Sequence, residues 1–258
     1  MKKNVLSVMV VLFVAAFAVS SHAAVIADWR FEYDPANSAA FYADSSGNGH
    51  TLQQTVGLSD ALVDASTVPG SNYCAFFSGG MGLQTAAAID LSSYTHIRVS
   101  FWMHNDLPGA IRYVMGTGTN FVAVASGIAI TTNEAGAGQG LAYLTSGGSV
   151  WADSFSHNDP SQQWGGIWEQ YAVEYDLGAA ANTAVIKVFR NGVLVGGDKY
   201  NYASLFPGMF NEKLYLAGPG SVPFVGRLDN VMIESIPEPA SISVLALGLI
   251  GLLRKRWK

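Results

Sequence analysis

The chain has 258 residues, half of them hydrophobic, with only 13% charged residues and a formal net charge of −5. This sparse, acidic balance argues against a basic patch that would hold nucleic acid or an anionic polysaccharide. Cys74 is the only cysteine, so there is no internal disulfide and the core must suffice without one.

Lys2 and Lys3 precede an apolar stretch from Val5 to Val19 and then Ser20-Ser21-His22-Ala23-Ala24. That order of basic, apolar and small residues predicts a signal peptide over 1–23, cut after Ala23 and handled by the Sec export machinery; a retained anchor is the alternative. Between Ala24 and Ile236 there are eight Lys or Arg against eighteen Asp or Glu, so the mature region carries about −10. Its length suits one domain, taken as 24–235.

Strands are predicted at Ile26–Phe31, Tyr73–Phe77, Ile97–Met103, Leu141–Leu144, Tyr171–Tyr175, Val185–Arg190, Leu214–Ala217 and Arg227–Ile233. All are rich in β-branched or aromatic residues and bounded by Gly, Asn, Asp or Pro. Cys74 falls in one of these runs and reads as a buried, inert thiol. Asn191-Gly192 separates Val185–Arg190 from Val193-Leu194-Val195 and predicts a two-residue type I′ hairpin, which needs two positive φ angles. The Gly-rich stretches 127–140 and 145–149 read as loops. Many short strands and no long helical period predict an all-β, antiparallel two-sheet sandwich, because each sheet must bury one face against another.

The segment 236–258 has a different character. Pro237-Glu238-Pro239 breaks any preceding element, Ala240 to Leu253 is apolar, and Arg254, Lys255, Arg256, Trp257 and Lys258 close the chain. The apolar run has 14 residues. As a helix it would cover roughly 21 Å, short of the roughly 20 residues a full crossing prefers, though thinning and snorkelling let such a run span. The trailing basic cluster would leave the C-terminus cytoplasmic and the domain outside. This order closely resembles the PEP-CTERM sorting signal. The resemblance implies recognition of Pro237, Glu238 and Pro239 by an exosortase-type membrane peptidase, and a place at the cell surface or in the extracellular matrix of a Gram-negative bacterium.

A second resemblance runs through most of 24–235. It is carried by Ala27-Asp28-Trp29-Arg30-Phe31-Glu32, Asp44-Ser45-Ser46-Gly47-Asn48-Gly49, Arg98–Met103, Trp168–Asp176, Val188–Leu194 and Phe224–Ile233. These elements resemble the laminin-G-like, concanavalin A-like jelly roll of bacterial surface proteins. The resemblance implies a jelly roll but no single function, since such domains bind glycans, bind proteins or accompany enzymes. It makes Trp168 a strand-opening core residue, and Trp29 and Trp102 likewise read as core.

The Asp44–Gly49 turn crowds hard oxygen atoms together, and related domains often hold a structural Ca²⁺ there, with Asp229 as a second carboxylate by resemblance. The bland reading is an Asx-turn at Asp44, positive φ at Gly47 and Gly49, and a surface charge at Asp229. Laminarinase-type hydrolases place their carboxylates on alternate residues of one strand. Here only Glu174-Tyr175-Asp176 approaches that pattern, and no second glutamate follows. The histidines show no metal spacing and no nucleophile elbow occurs, so the chain is expected not to be an enzyme. Trp151 and Trp164, with Tyr143, Phe155 and His157, lie in a Gly-, Ser- and Asn-rich section and are candidate stacking platforms for sugar rings. The expectation is a non-catalytic surface or matrix protein with carbohydrate binding as its candidate activity. Its rivals are a purely structural matrix protein without a glycan ligand and a polysaccharide hydrolase or lyase acting through Glu174 or Asp176.

Overall fold

Strand β7 (His96–Asn105) shows how the sequence makes a sandwich: Ile97, Val99, Phe101 and Met103 are buried, while the intervening His96, Arg98, Ser100, Trp102 and His104 are half-buried on the opposite face. Strand β11 (Glu169–Asp176) repeats the alternation, with Tyr171, Val173 and Tyr175 inward and Gln170, Ala172, Glu174 and Asp176 outward. The two pair antiparallel, Phe101 opposite Tyr171, with stacked rings 5.7 Å apart. Such a pair contributes about 0.5–1.5 kcal/mol beyond its buried area.

The computed structural model describes residues 23–107, 112–117, 126–132, 142–146, 166–177, 184–200, 211–218 and 223–236. Val25–Ser235 packs as one unit. Its larger sheet also contains β1 (Val25–Trp29), β3 (Leu62–Ala65), β4 (Tyr73–Ser78), β12 (Ala184–Arg190), β13 (Val193–Tyr200) and β16 (Val225–Ser235). The order is β13-β12-β11-β7-β16-β4-β3, with β1 also paired to β16. The second sheet runs β10 (Ala142–Ser146), β9 (Ser126–Thr132), β8 (Arg112–Thr117), β15 (Leu214–Leu216), β5 (Leu83–Thr85), β2 (Leu52–Gln54). A short pair, β6 (Ile89–Asp90) and β14 (Asn211–Glu212), lies apart from both. A 3-10 turn spans Ser38–Tyr42. Among the described residues no helix is long and apolar enough to cross a membrane.

The inner faces meet in one core, where Val99, Phe101, Val173 and Leu228 of the larger sheet join Leu83, Val114, Ile128 and Leu214 of the smaller. Trp29 is fully buried in it and donates its indole N–H to the His50 carbonyl at 2.7 Å. Strand β16 changes neighbour midway: Val225 to Leu228 pair with β4, whereas Val231 to Glu234 pair with β1. Asn230, at φ 47°, sits at the change, where the register against β7 shifts between Asp229 and Met232.

All eight predicted strands are present, and Asn191 and Gly192 take φ 49° and 78°, the two positive angles the hairpin needs. Two readings need correction. The stretch taken as loop from 127 contains β9, whose Ile128, Ala129 and Ile130 are buried between β8 and β10; Gly127 masked an interior strand. Trp102 is not a core residue, since it shares the outer face with Arg98, Ser100 and His104.

Candidate functional site

The sandwich offers two outer faces of opposite chemistry. That of the larger sheet is a field of ion pairs. Arg98 bonds Glu174 through Nε at 3.1 Å, approaches Glu234 at 3.6 Å and lies over the Phe189 ring. Arg227 bonds Asp64 at 2.7 Å, pairs with Asp106 and lies 5.0 Å over the Phe76 ring. The Arg227 bond holds the Asp64 carboxyl below the usual carboxylate range. His104 bonds Asp106, and His96 meets Asp176 at 3.3 Å. Glu174 and Asp176 do share one face, as alternation required, but each is engaged by a basic partner. Trp168 precedes β11 and packs against His104 at 5.8 Å between ring centroids. It is half-buried rather than core, because it continues the outward register of Gln170 and Ala172.

The outer face of the smaller sheet carries no charge along its central row. Register aligns Gln53 of β2 with Gln84 of β5, Gln84 with Tyr215 of β15, Tyr215 with Gly116 of β8, and Gly116 with Ala129 of β9. Tyr143 of β10 stands opposite Ala129 and ends the row. Tyr215 alternates with the core residues Leu214 and Leu216, which turns it outward. Tyr113, Ala129 and Tyr215 form a small cluster separate from the main core. The Tyr113 ring covers two glycines: a Cβ added at Gly116 would lie 2.6 Å from its hydroxyl, and one at Gly218 would lie 2.9 Å from its Cε1. Burial, then the neighbouring Tyr215, pushes the Tyr113 phenol well above its ordinary range, so it stays neutral. Gln84, Gly116 and Ala129 are themselves buried, so the open groups of the row are the exposed Gln53 amide and the half-buried Tyr215 ring, which are suited to bond a sugar's hydroxyls and stack on its ring. The sequence reading missed the row except for Tyr143. The only local signals were the triplets Leu214-Tyr215-Leu216 and Leu83-Gln84-Thr85.

Trp151 and Trp164 lie outside the described residues, as do Pro237, Glu238, Pro239, Arg254, Lys255, Arg256 and Lys258. Cys74 is fully buried, and burial followed by the Asp229 and Asp64 carboxylates pushes its thiol up to about 12.

Asp44 and Asp229, the expected pair of carboxylates, are held by different hydrogen-bond partners. Asp44 accepts the backbone N–H groups of Asp28 at 3.0 Å, Ser46 at 2.9 Å and His50 at 2.9 Å, with Gly47 and Gly49 at positive φ. Burial opposes its ionisation, but Ser46 and these backbone bonds hold it below its ordinary value. Both oxygens face donors, so Asp44 serves the Asx-turn. Asp229 differs. It is fully buried and bonded by neutral donors, the Ser66 hydroxyl at 2.6 Å and the Asn230 N–H at 2.8 Å. The other two buried carboxylates among the described residues are paired with arginine, Asp28 with Arg30 and Glu169 with Arg190. Burial raises the Asp229 carboxyl to about 6, with Ser66 and Ser71 opposing and the Glu32 carboxylate adding to the rise. Ser71 also donates to Glu32 at 3.0 Å. Both Asp229 oxygens likewise face donors, and no group of three His, Cys, Asp or Glu able to hold a metal occurs among the described residues.

These two antiparallel sheets, wound around one core with β16 shared between β1, β4 and β7, make the chain a concanavalin A-like jelly-roll sandwich. No family model and no curated protein matches the sequence. Solved structures do. Domain 4 of AbnA, a GH43 extracellular arabinanase from Geobacillus stearothermophilus, in complex with arabinotriose, is similar at 20% identity and TM-score 0.60, covering 88% of this chain and 100% of that one. The binding domain of botulinum neurotoxin DC in complex with SialylT is similar at 14% identity and TM-score 0.55, over 88% of this chain. The receptor binding domain of botulinum neurotoxin D is similar at 14% identity and TM-score 0.53, also over 88% of this chain. The likeness covers 52% and 53% of those toxin domains, about half their length, and at such identities it speaks for the fold.

Proposed function

We propose that this chain is an exported, non-catalytic surface protein whose jelly roll binds a neutral glycan on the outer face of the smaller sheet. The half-buried Tyr215 ring and the exposed Gln53 amide, set in one uncharged row by the register, carry the proposal, because an aromatic ring can stack on a sugar and an amide can bond its hydroxyls. The arabinotriose complex of AbnA domain 4 and the SialylT complex of the toxin domain support a carbohydrate ligand. Trp151 and Trp164 would add stacking surface from the connection between β10 and β11. Sorting would follow from Pro237-Glu238-Pro239 and the basic tail, through the Sec machinery and an exosortase-type peptidase.

A structural Ca²⁺ at Asp44 and Asp229 belongs to this proposal, and it would have to take the place of the donors those carboxyls now face. Bound there, the ion would neutralise the buried Asp229 carboxyl and tie β16 to the Asp44–Gly49 turn.

A glycan array followed by affinity electrophoresis in neutral polysaccharide gels tests the binding reading. Retardation by the wild-type chain, lost in Tyr215→Ala and weakened in Gln53→Ala while melting temperature holds, is the expected result. Uniform silence of the wild type would favour the purely structural matrix reading. Product release abolished at Glu174→Gln would revive the enzyme.

A further inference from the structure

The larger sheet ends in two open strands, β3 on one side and β13 on the other, and among the described residues neither has a partner on its outer edge. Both carry consecutive exposed aliphatic residues: Leu62 is 50% and Val63 39% exposed on β3, and Val193 is 64% and Leu194 54% exposed on β13. Half of the eight exposed large hydrophobic residues among the described residues therefore sit on these two edges. An unpaired edge with apolar side chains on both faces is a template for another strand.

Charge separates the edges. The β3–β4 hairpin, from Ser59 to Tyr73, contains Asp60 and Asp64 and no Lys or Arg. The β12–β13 hairpin contains Lys187, Arg190 and Lys199 against Asp198, three of the eight cationic residues between Ala24 and Ile236. Asp60 accepts the Tyr42 hydroxyl, Asp64 is shared with Arg227, and Arg190 is shared with Glu169, but the net signs of the two hairpins remain opposite. Like edges would repel and unlike edges attract. Register narrows the contact further. The pairing of β12 with β13 is regular from Arg190↔Val193 to Phe189↔Leu194 and irregular beyond, so the flush part of the β13 edge is the part that carries Val193 and Leu194.

We propose that the chain associates with copies of itself edge to edge, β3 of one copy adding antiparallel to β13 of the next, with Leu62 and Val63 against Val193 and Leu194. The contact is heterologous, so each copy keeps one open edge after the other is filled, and growth continues as an open chain unless rotation closes a ring. This goes beyond the glycan reading and does not depend on it.

Sedimentation of the purified full-length chain over a wide concentration range tests it, with Leu62→Asp, Leu194→Asp and the double variant alongside. A carboxylate at either position would be buried against aliphatic side chains on docking, which blocks that edge while leaving the fold, followed by circular dichroism, unchanged. The wild type is expected to gain average mass with concentration beyond a dimer. Each single variant alone stays monomeric, yet an equal mixture forms a one-to-one dimer and nothing larger, because one partner keeps β3 and the other β13. A wild type that remains monomeric overturns the proposal. So does a Leu194→Asp variant that still dimerises, which would mean β3 pairs with β3, or a double variant that associates like the wild type, which would place the contact elsewhere.

Discussion

Asp229 is the residue whose environment departs most from that of its peers. A carboxyl buried among hydroxyls and amides keeps its proton to about pH 6, whereas in the unfolded chain it loses it near 3.9. Between those values the native state binds a proton that the unfolded state lacks, so stability falls as pH rises through the window and stays reduced above it. In the presence of a chelator the melting temperature should therefore drop as pH is raised from about 5 to about 7, and Asp229→Asn should flatten that slope. Added Ca²⁺ at neutral pH should raise the melting temperature of the wild type and leave Asp229→Asn unmoved. A wild-type profile that is flat with chelator would show that Asp229 does not titrate in this range. No change on adding Ca²⁺ would remove the cation from the proposed function.

The strands were legible wherever β-branched and aromatic residues ran between turn residues, as at Arg98–Met103 and Val185–Arg190. The Asn191-Gly192 hairpin was legible because its signal is local. Strand β9 was not, since Ser126-Gly127 opens it and its stability comes from being interior to a sheet. The row from Gln53 to Ala129 was beyond reach for a different reason: its members come from β2, β5, β15, β8 and β9, and only the pairing register sets them side by side. Trp102 was misjudged because its strand was read for composition when the polar residues at alternate positions already marked its face. The glycines of two elements separate the physical effects at work. Gly192→Ala meets no neighbouring atom but must hold φ 78°, and should cost about 1 kcal/mol. Gly116→Ala would place its Cβ 2.5 Å from the Ile128 carbonyl oxygen, a backbone atom that cannot rotate away. It should cost about 1–3 kcal/mol and displace Tyr113, which urea unfolding and tyrosine fluorescence would follow. Equal costs at the two sites would mean that β8 and β9 separate easily.

For the whole molecule, the proposed route to the surface predicts what is found there. Intact mass of protein recovered from the native cell envelope should lack residues before Ala24 and those beyond the Pro237-Glu238-Pro239 motif. A variant with all three motif residues changed to alanine should keep its tail. A native mass that retains Lys258 would contradict sorting by cleavage and leave an anchored protein. The region between Ala24 and Ile236, near −10 with a single buried thiol, relies on its hydrophobic core for stability.

Strand β16 leads directly to the tail, and it lies inside the larger sheet, flanked by β7 along one side and by β4 and then β1 along the other. A pull on Ile236 along the strand axis would load the bonds from Ser235↔Ile97 to Gly226↔Asn105, together with those to β1, in shear. They would have to break together, whereas a peeling force would open them one by one. Val25 lies opposite Glu234, so the first strand is clamped across the end of the last. Were the chain held by that end, the domain would resist drag through the side of its sheet, with its mechanical strength set by β16 rather than by the loops.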